Sequence, residues 1–389
     1  MRLGIFPKAL LKKLNGQKII WLHTVSVGEA QAVVSLAQVL KRNFPGVRLV
    51  ISTVTKTGNN IAQKIAQVDD AVIYFPLDLT WAINRAIAQI RPGLVLLAET
   101  ELWPRFISNV SRKNIPIVVV NGRISPGSLQ GYLLVRPFLK RVLERISLFC
   151  MQSAEDAQRI IHLGAPATKV KVTGNMKFDL QLLALEFKRA ELGLSEQEKL
   201  LLGGSTHRGE ELILLDTYKN LLKSQPGMRL AIAPRHIERT AEIQRLVEKS
   251  GFSALRFSRL KDNEPAAGKQ ILIVDTIGQL KGLYALADIV FIGGSLVTHG
   301  GQNPIEPALF SRPILFGPYM FNFANIAELF LSKKAAVMIK DGRQLSAMCQ
   351  RLLNEPQLAE ALGRKARGLV EENSGATVRT MELIKSFAP

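Results

Sequence analysis

The sequence predicts an α/β protein made of two doubly wound, Rossmann-like domains in tandem, facing a central cleft. Three observations predict it. Short β-rich apolar runs alternate with amphipathic helical stretches along the whole chain. The runs are continuously apolar, as strands of a parallel sheet covered on both faces must be. The alternation breaks at a charged stretch around residues 177–198 and then restarts. At 389 residues the chain also exceeds what one hydrophobic core usually organises.

Taken in order, the first half offers strands at IIWLH (19–23), VRLVIST (47–53), AVIYFPL (71–77), LVLLAE (94–99), PIVVVNG (116–122) and LFCMQS (148–153). Helical patterns fill the gaps; in EAQAVVSLAQVLKRNF, Ala32, Leu36, Val39 and Leu40 share one face. The second half repeats the scheme with KLLLGGS (199–205), RLAIAPR (229–235), QILIVDT (270–276), DIVFIGGS (288–295), PILFGP (313–318) and AAVMIK (335–340). The expected domains are therefore 1–180 and 181–389. Ligands of such folds bind beyond the carboxyl ends of the strands.

Composition excludes several classes. Hydrophobic residues make up 47% and charged residues 21%, as in a globular protein. Cys150 and Cys349 are too few for a disulfide framework or a Cys-rich zinc site, which points to a reducing setting. No apolar run approaches the roughly 18 residues of a membrane span, and no signal peptide is visible. The net charge of +19 is the outlier. Arg2, Lys8, Lys12, Lys13 and Lys18 stand in the first 20 residues without an acid, and Leu3, Phe6, Leu10 and Leu14 recur at helical spacing. Such a segment either lies on an anionic membrane or is a solvated terminus. A second basic cluster holds Arg136, Lys140, Arg141 and Arg145, a pattern equally suited to nucleic acid, anionic lipid or phosphorylated substrates.

Motifs gather at the expected strand ends. HTVSVGEA (23–30) puts Glu29 where a strand hands over to a helix, either to favour the helix start or to take a proton. AETELWP (98–104) sets Glu99 and Glu101 two residues apart; paired carboxylates suit glycoside hydrolysis, and one of them can instead cap the helix near Trp103. TGNMKFD (173–179) adds Lys177. In GGSTHRGEE (203–211), Gly204 and Ser205 offer close backbone approach and a hydroxyl, a possible phosphate cradle at a helix N-terminus or an ordinary tight turn. APRH ends a strand with Pro234, Arg235 and His236, where the Arg–His pair suits a phosphate or carboxylate. GGSLVTHGGQNPIEPA (293–308) brings Gly294, Ser295, Asn303, Pro304, Ile305 and Glu306, the last either complementing a helix dipole or gripping a ribose diol. No GxGxxG or P-loop pattern appears, and the five histidines lack metal-ligand spacing.

The order HTVSVGEA, AETELWP, NGRIS, TGNMKFD, GGSTHRGEE, APRHIER, DTIGQL and GGSLVTHGGQNPIEPA resembles the 3-deoxy-D-manno-octulosonic acid (Kdo) transferases, from about residue 19 to the C-terminus. The resemblance implies a GT-B glycosyltransferase of lipopolysaccharide assembly, with CMP-Kdo as donor, a lipid A precursor as acceptor, and no metal or other cofactor. It implies Glu29 as general base, with Glu99 and Lys177 supporting the transition state. It places CMP on Pro234 and Arg235, on Ile277, Gly278 and Gln279, and on Asn303, Pro304, Ile305 and Glu306. Gly204, Ser205, Gly294 and Ser295 stand as possible phosphate or donor contacts. Two departures stand out: Gln279 occupies a position where the family usually has Glu, and the apolar anchor many members carry before the first strand is absent from this chain. The implied location is the cytoplasmic face of the inner membrane, peripheral or through such an N-terminal anchor.

With one base and no covalent nucleophile, direct displacement with inversion is expected, the departing CMP needing charge neutralisation more than protonation. Arg235, glycine-loop amides and helix N-termini suit that need, and Lys177 suits the donor's own carboxylate. The alternative is another GT-B enzyme, a UDP-sugar transferase or sugar-nucleotide epimerase. A nucleic-acid binder finds no aromatic signature in its favour.

Overall fold

The computed structural model describes residues 1–25, 27–180, 188–262 and 270–388. Among them, fourteen strands build two seven-stranded sheets, each in a separate unit. The first unit comprises Met1–Asp179 and Asn373–Pro389, the second Leu180–Glu372.

In the first unit, β1 (Lys18–His23), β2 (Val47–Thr53), β3 (Ala71–Tyr74), β4 (Leu94–Ala98), β5 (Ile117–Gly122), β6 (Leu148–Met151) and β7 (Val170–Val172) run parallel in the order β3-β2-β1-β4-β5-β6-β7. The continuous apolar runs follow from burial on both faces. Ile19 and Trp21 enter one core with Phe75, Phe106 and Phe149, while Ile20 and Leu22 enter the other with Leu36, Leu49 and Leu96.

In the second unit, β8 (Lys199–Thr206), β9 (Met228–Pro234), β10 (Ala254–Arg256), β11 (Ile271–Ile273), β12 (Ile289–Ile292), β13 (Ile314–Phe316) and β14 (Val337–Met338) run parallel in the order β10-β11-β9-β8-β12-β13-β14. Leu201, Leu230, Ile273, Phe291 and Leu315 share one core. Both sheets are of the doubly wound kind expected. The three-residue strands β7 and β10 had no counterpart in the sequence reading, being too short to show a pattern.

Two expectations are corrected. The second domain was expected to run to residue 389, but the helix Ala376–Ile384 belongs to the first unit. It buries Ala376, Met381 and Ile384 against Ile20, Leu22 and Leu96. The Asp179 carboxylate accepts from the Gly375 amide at 2.6 Å, and Arg379 Nε donates to the Thr173 carbonyl at 2.7 Å. Second, the N-terminal apolar stripe does not form a free face. Phe6 and Leu14 are buried in the first unit's core and Leu10 packs against it, leaving Leu3 exposed. The helix Lys8–Leu14 spends its apolar side on its own domain.

Candidate functional site

Because every strand of the first sheet is parallel, all carboxyl ends lie along one edge, and the order reverses direction between β1 and β4. Such a switch point is where α/β sheets receive ligands. Glu29 follows β1, and Glu99 and Glu101 follow β4, so three carboxylates flank it.

Glu29 lies in the first turn of the helix Val27–Ala32, only 6% exposed, and its Oε2 accepts from the Val25 amide at 2.7 Å. It therefore does fasten the helix start. It also belongs to an acidic cluster: the Glu101 carboxyl is pushed up to about 7, first by burial and then by the negative charges of Glu29 and Glu99. Burial and the Glu101 charge together push the Tyr132 phenol up as well.

Glu99 sits at φ 52°, a left-handed conformation unusual for a residue with a Cβ. Its amide donates to the Val120 carbonyl at 2.9 Å, so the sheet holds the turn in place. Strained residues of this kind concentrate at functional sites. Glu99 Oε1 lies 3.5 Å from Lys177 Nζ. Lys177 arrives from beyond β7 because the Met176 amide donates to Asn121 Oδ1 at 2.9 Å, and Asn121, itself at φ 54°, closes β5. The expected trio of Glu29, Glu99 and Lys177 is thus gathered at one edge, with Lys177 already paired to Glu99. Neither Glu99 nor Glu101 caps the helix Pro104–Ser111. Asp78 does so, accepting from the Phe106 amide at 2.8 Å and the Arg105 amide at 3.3 Å.

In the second unit the order reverses between β8 and β12. Pro234 ends β9, and the Arg235 amide donates to the Thr206 carbonyl at 3.0 Å, leaving an exposed guanidinium that makes no ion pair among the described residues. Ile277 is 77% exposed, Gly278 has φ 101°, and Gln279 leads into the helix Leu280–Leu286 without capping it through its side chain. Pro304 precedes the short helix Ile305–Ala308, and Asn303 Oδ1 accepts from the Ile305 amide at 3.1 Å. Burial pushes the Glu306 carboxyl up, opposed by Lys281 and by a hydrogen bond from Asn303. Burial and then the charge of Glu306 push the Tyr284 phenol well above its ordinary value. A Cβ at Gly204 would stand 2.5 Å from the Tyr284 hydroxyl, so glycine is what lets this tyrosine approach β8.

Of the four possible phosphate or donor contacts, three are engaged within the protein itself. Gly204 lies within β8 under Tyr284. The Gly294 and Ser295 amides are occupied by Glu210: they donate to its carboxylate at 2.7 and 3.0 Å, together with those of Leu296 at 3.0 Å and His207 at 2.9 Å. Ser295 Oγ bonds the Ile292 carbonyl and the Gly317 amide, and the side chain is fully buried. Ser205 alone remains partly exposed, at φ 57°. Burial pushes the Glu210 carboxyl up, although four N–H donors favour its ionised form. Thus the loop at 294–296 receives a carboxylate of its own chain, from Glu210 at the start of the helix Glu210–Leu221, where a phosphate or donor contact was expected. The signal was present in the GEE that follows GGSTHR.

Among the described residues, no three His, Cys, Asp or Glu side chains are grouped to hold a metal.

Residues 1–180 match the family model described as "3-Deoxy-D-manno-octulosonic-acid transferase (kdotransferase)". A 3-deoxy-D-manno-octulosonic acid transferase of Haemophilus influenzae is 33% identical over 393 aligned residues, covering 99% of this chain and 90% of that protein. Among solved structures, the UDP-GlcNAc 2-epimerase of Neisseria meningitidis bound to UDP-GlcNAc superposes with a TM-score of 0.60 at 12% identity, over 95% of this chain and 100% of that one. A glycosyltransferase from Rickettsia africae gives 0.59 at 15% identity, over 96% and 99%. The structural likenesses establish the GT-B fold. The sequence likeness, at 33% identity over nearly the whole of both chains, establishes that this glycosyltransferase belongs to the 3-deoxy-D-manno-octulosonic acid transferase family.

Proposed function

We propose that the protein transfers Kdo from CMP-Kdo to a lipid A precursor, lipid IVA, in lipopolysaccharide biosynthesis, with inversion and without a metal. The observation that carries the reading is the constellation at the first unit's switch point, where Glu29, Glu99, Glu101 and Lys177 converge from three separate segments. Glu29 takes the proton of the acceptor hydroxyl as its oxygen attacks the anomeric carbon, and the bond from that carbon to the CMP oxygen breaks. Glu99 holds the Lys177 ammonium in place, ready for the donor's carboxylate. Arg235 meets the phosphate of the leaving CMP, and Glu306 meets its ribose. Incubation with CMP-Kdo and lipid IVA, followed by mass spectrometry, tests the reading; an acceptor whose mass never rises by one or more Kdo residues refutes it.

Arg235 makes no ion pair among the described residues, so its substitution has a clean expected result. Calorimetry of Arg235→Ala should show CMP affinity falling about ten- to hundredfold, as for loss of a charge-assisted hydrogen bond, with the melting temperature near wild type. Unchanged affinity removes Arg235 from the nucleotide site.

The acceptor is a lipid, and the surface of the first unit suits a peripheral membrane contact at the cytoplasmic face. Leu134, Val135 and Phe138 are exposed beside Arg136, Lys140 and Arg141. No helix among the described residues is long and apolar enough to cross a membrane. Sedimentation with anionic vesicles should show binding that weakens as salt rises, and neutral vesicles should bind less. Equal, salt-insensitive binding to both refutes the electrostatic contact.

A further inference from the structure

Three of the five histidines, His207, His236 and His299, meet at the strand ends of the second unit. The His207 and His299 rings stack at 4.2 Å and 15°, and the His236 ring stands edge-on to His207 at 5.8 Å. His207 is 9% exposed, and its Nε2 has no hydrogen-bond partner. A side chain at Gly294, were there one, would place its Cβ 3.4 Å from that Nε2, so the nitrogen faces the bare backbone of the glycine loop. An orphaned polar atom this deeply buried calls for an explanation, and a ligand atom is one.

The surroundings specify its charge. Facing His207 are Arg235, Arg239, His236 and His299 on the cationic side, and Glu210 on the anionic side. Glu210 is engaged by four backbone amides, and Arg239 is paired with Glu211 at 2.8 Å. Burial, then His299, His236, Arg235 and Arg239, hold the His207 imidazole down at about 4, so near neutral pH it is uncharged. An anion arriving at Nε2 would reverse that balance.

We propose that His207, backed by His299 and beside Arg235, is the seat of an anionic oxygen of the donor, phosphate or carboxylate, and that filling it draws one proton from solvent onto the His207 ring. The proposal rests on the CMP-sugar reading above and deepens it. Affinity for the anion then rises as pH falls, by up to about tenfold per unit where one proton is taken up.

Two probes separate the sources: the methyl ester of CMP, a phosphodiester that does not titrate near neutral pH, and free Kdo, which carries only the carboxylate. Calorimetry in two buffers of different ionisation enthalpy counts the protons taken up. The expected result is an uptake approaching one proton with one of the probes, abolished in His207→Gln, with that probe's affinity reduced about ten- to hundredfold. Whichever probe shows it is the occupant. The wild-type pH profile of affinity between pH 6 and 8 gives a second reading that does not depend on the variant folding. A flat profile with both probes, or uptake unchanged in a His207→Gln protein that melts like wild type, overturns the proposal. Failure of CMP itself to bind would instead overturn the nucleotide assignment on which it rests.

Discussion

Glu29→Gln should lower turnover by about 10²–10⁴-fold, the usual scale of general-base assistance, while CMP affinity and the melting temperature stay near wild type. The structure sharpens this substitution. Glu29 Oε2 accepts from the Val25 amide at 2.7 Å, and the carbonyl oxygen of glutamine can accept the same hydrogen bond. What glutamine lacks is the basicity to remove a hydroxyl proton at neutral pH. If Glu29 only fastened the helix Val27–Ala32, activity would survive and stability would fall by a few tenths to about 1 kcal/mol. Near-normal transfer would move the base elsewhere in the cluster. Glu101 would then be the first candidate, since its carboxyl titrates near 7 and so suits proton transfer at that pH.

The fold was legible because both faces of each sheet are covered. Ile19, Ile20, Trp21 and Leu22 must all be apolar when alternate side chains enter two different cores, and that requirement writes an unbroken run into the sequence. The last helix was assigned to the wrong unit for an equally physical reason. Its pattern shows that Ala376, Met381 and Ile384 will be buried, but carries no information on which sheet receives them. At the site, residues adjacent to strand ends could be read directly, since the end of a parallel strand locates its following loop. How Lys177 reaches Glu99 could not, because it depends on Asn121 accepting the Met176 amide across 55 positions. The glycine loop misled in the opposite direction. GGSL at 293–296 shares the glycine-rich composition of GGST at 203–206, and its Gly294 and Ser295 amides do bind an anion. The anion is Glu210 of the same chain.

Glu210→Ala should therefore be among the most damaging substitutions in the second unit. The side chain is fully buried, and its carboxylate is the acceptor for the amides of His207, Gly294, Ser295 and Leu296, joining the end of β8 to the loop after β12. Alanine leaves these donors without their partner, and a buried unsatisfied donor costs about 1–3 kcal/mol. Water and relaxation recover part of that, so a net loss of about 3 kcal/mol or more is expected. At about 2–4 °C per kcal/mol for a unit of this size, melting should fall by roughly 10 °C. Glutamine should be intermediate, since its single oxygen can keep some amides while its NH₂ group opposes the others. CMP affinity should fall with stability, because the loop that Glu210 pins at 294–296 continues into Asn303 and Glu306. Arg235→Ala is the contrasting case, expected to lose nucleotide without losing stability. Thermal melts of the two variants with and without CMP distinguish a residue that builds the loop from one that meets the ligand. A Glu210→Ala protein that melted like wild type would show that the loop holds its shape without its internal anion.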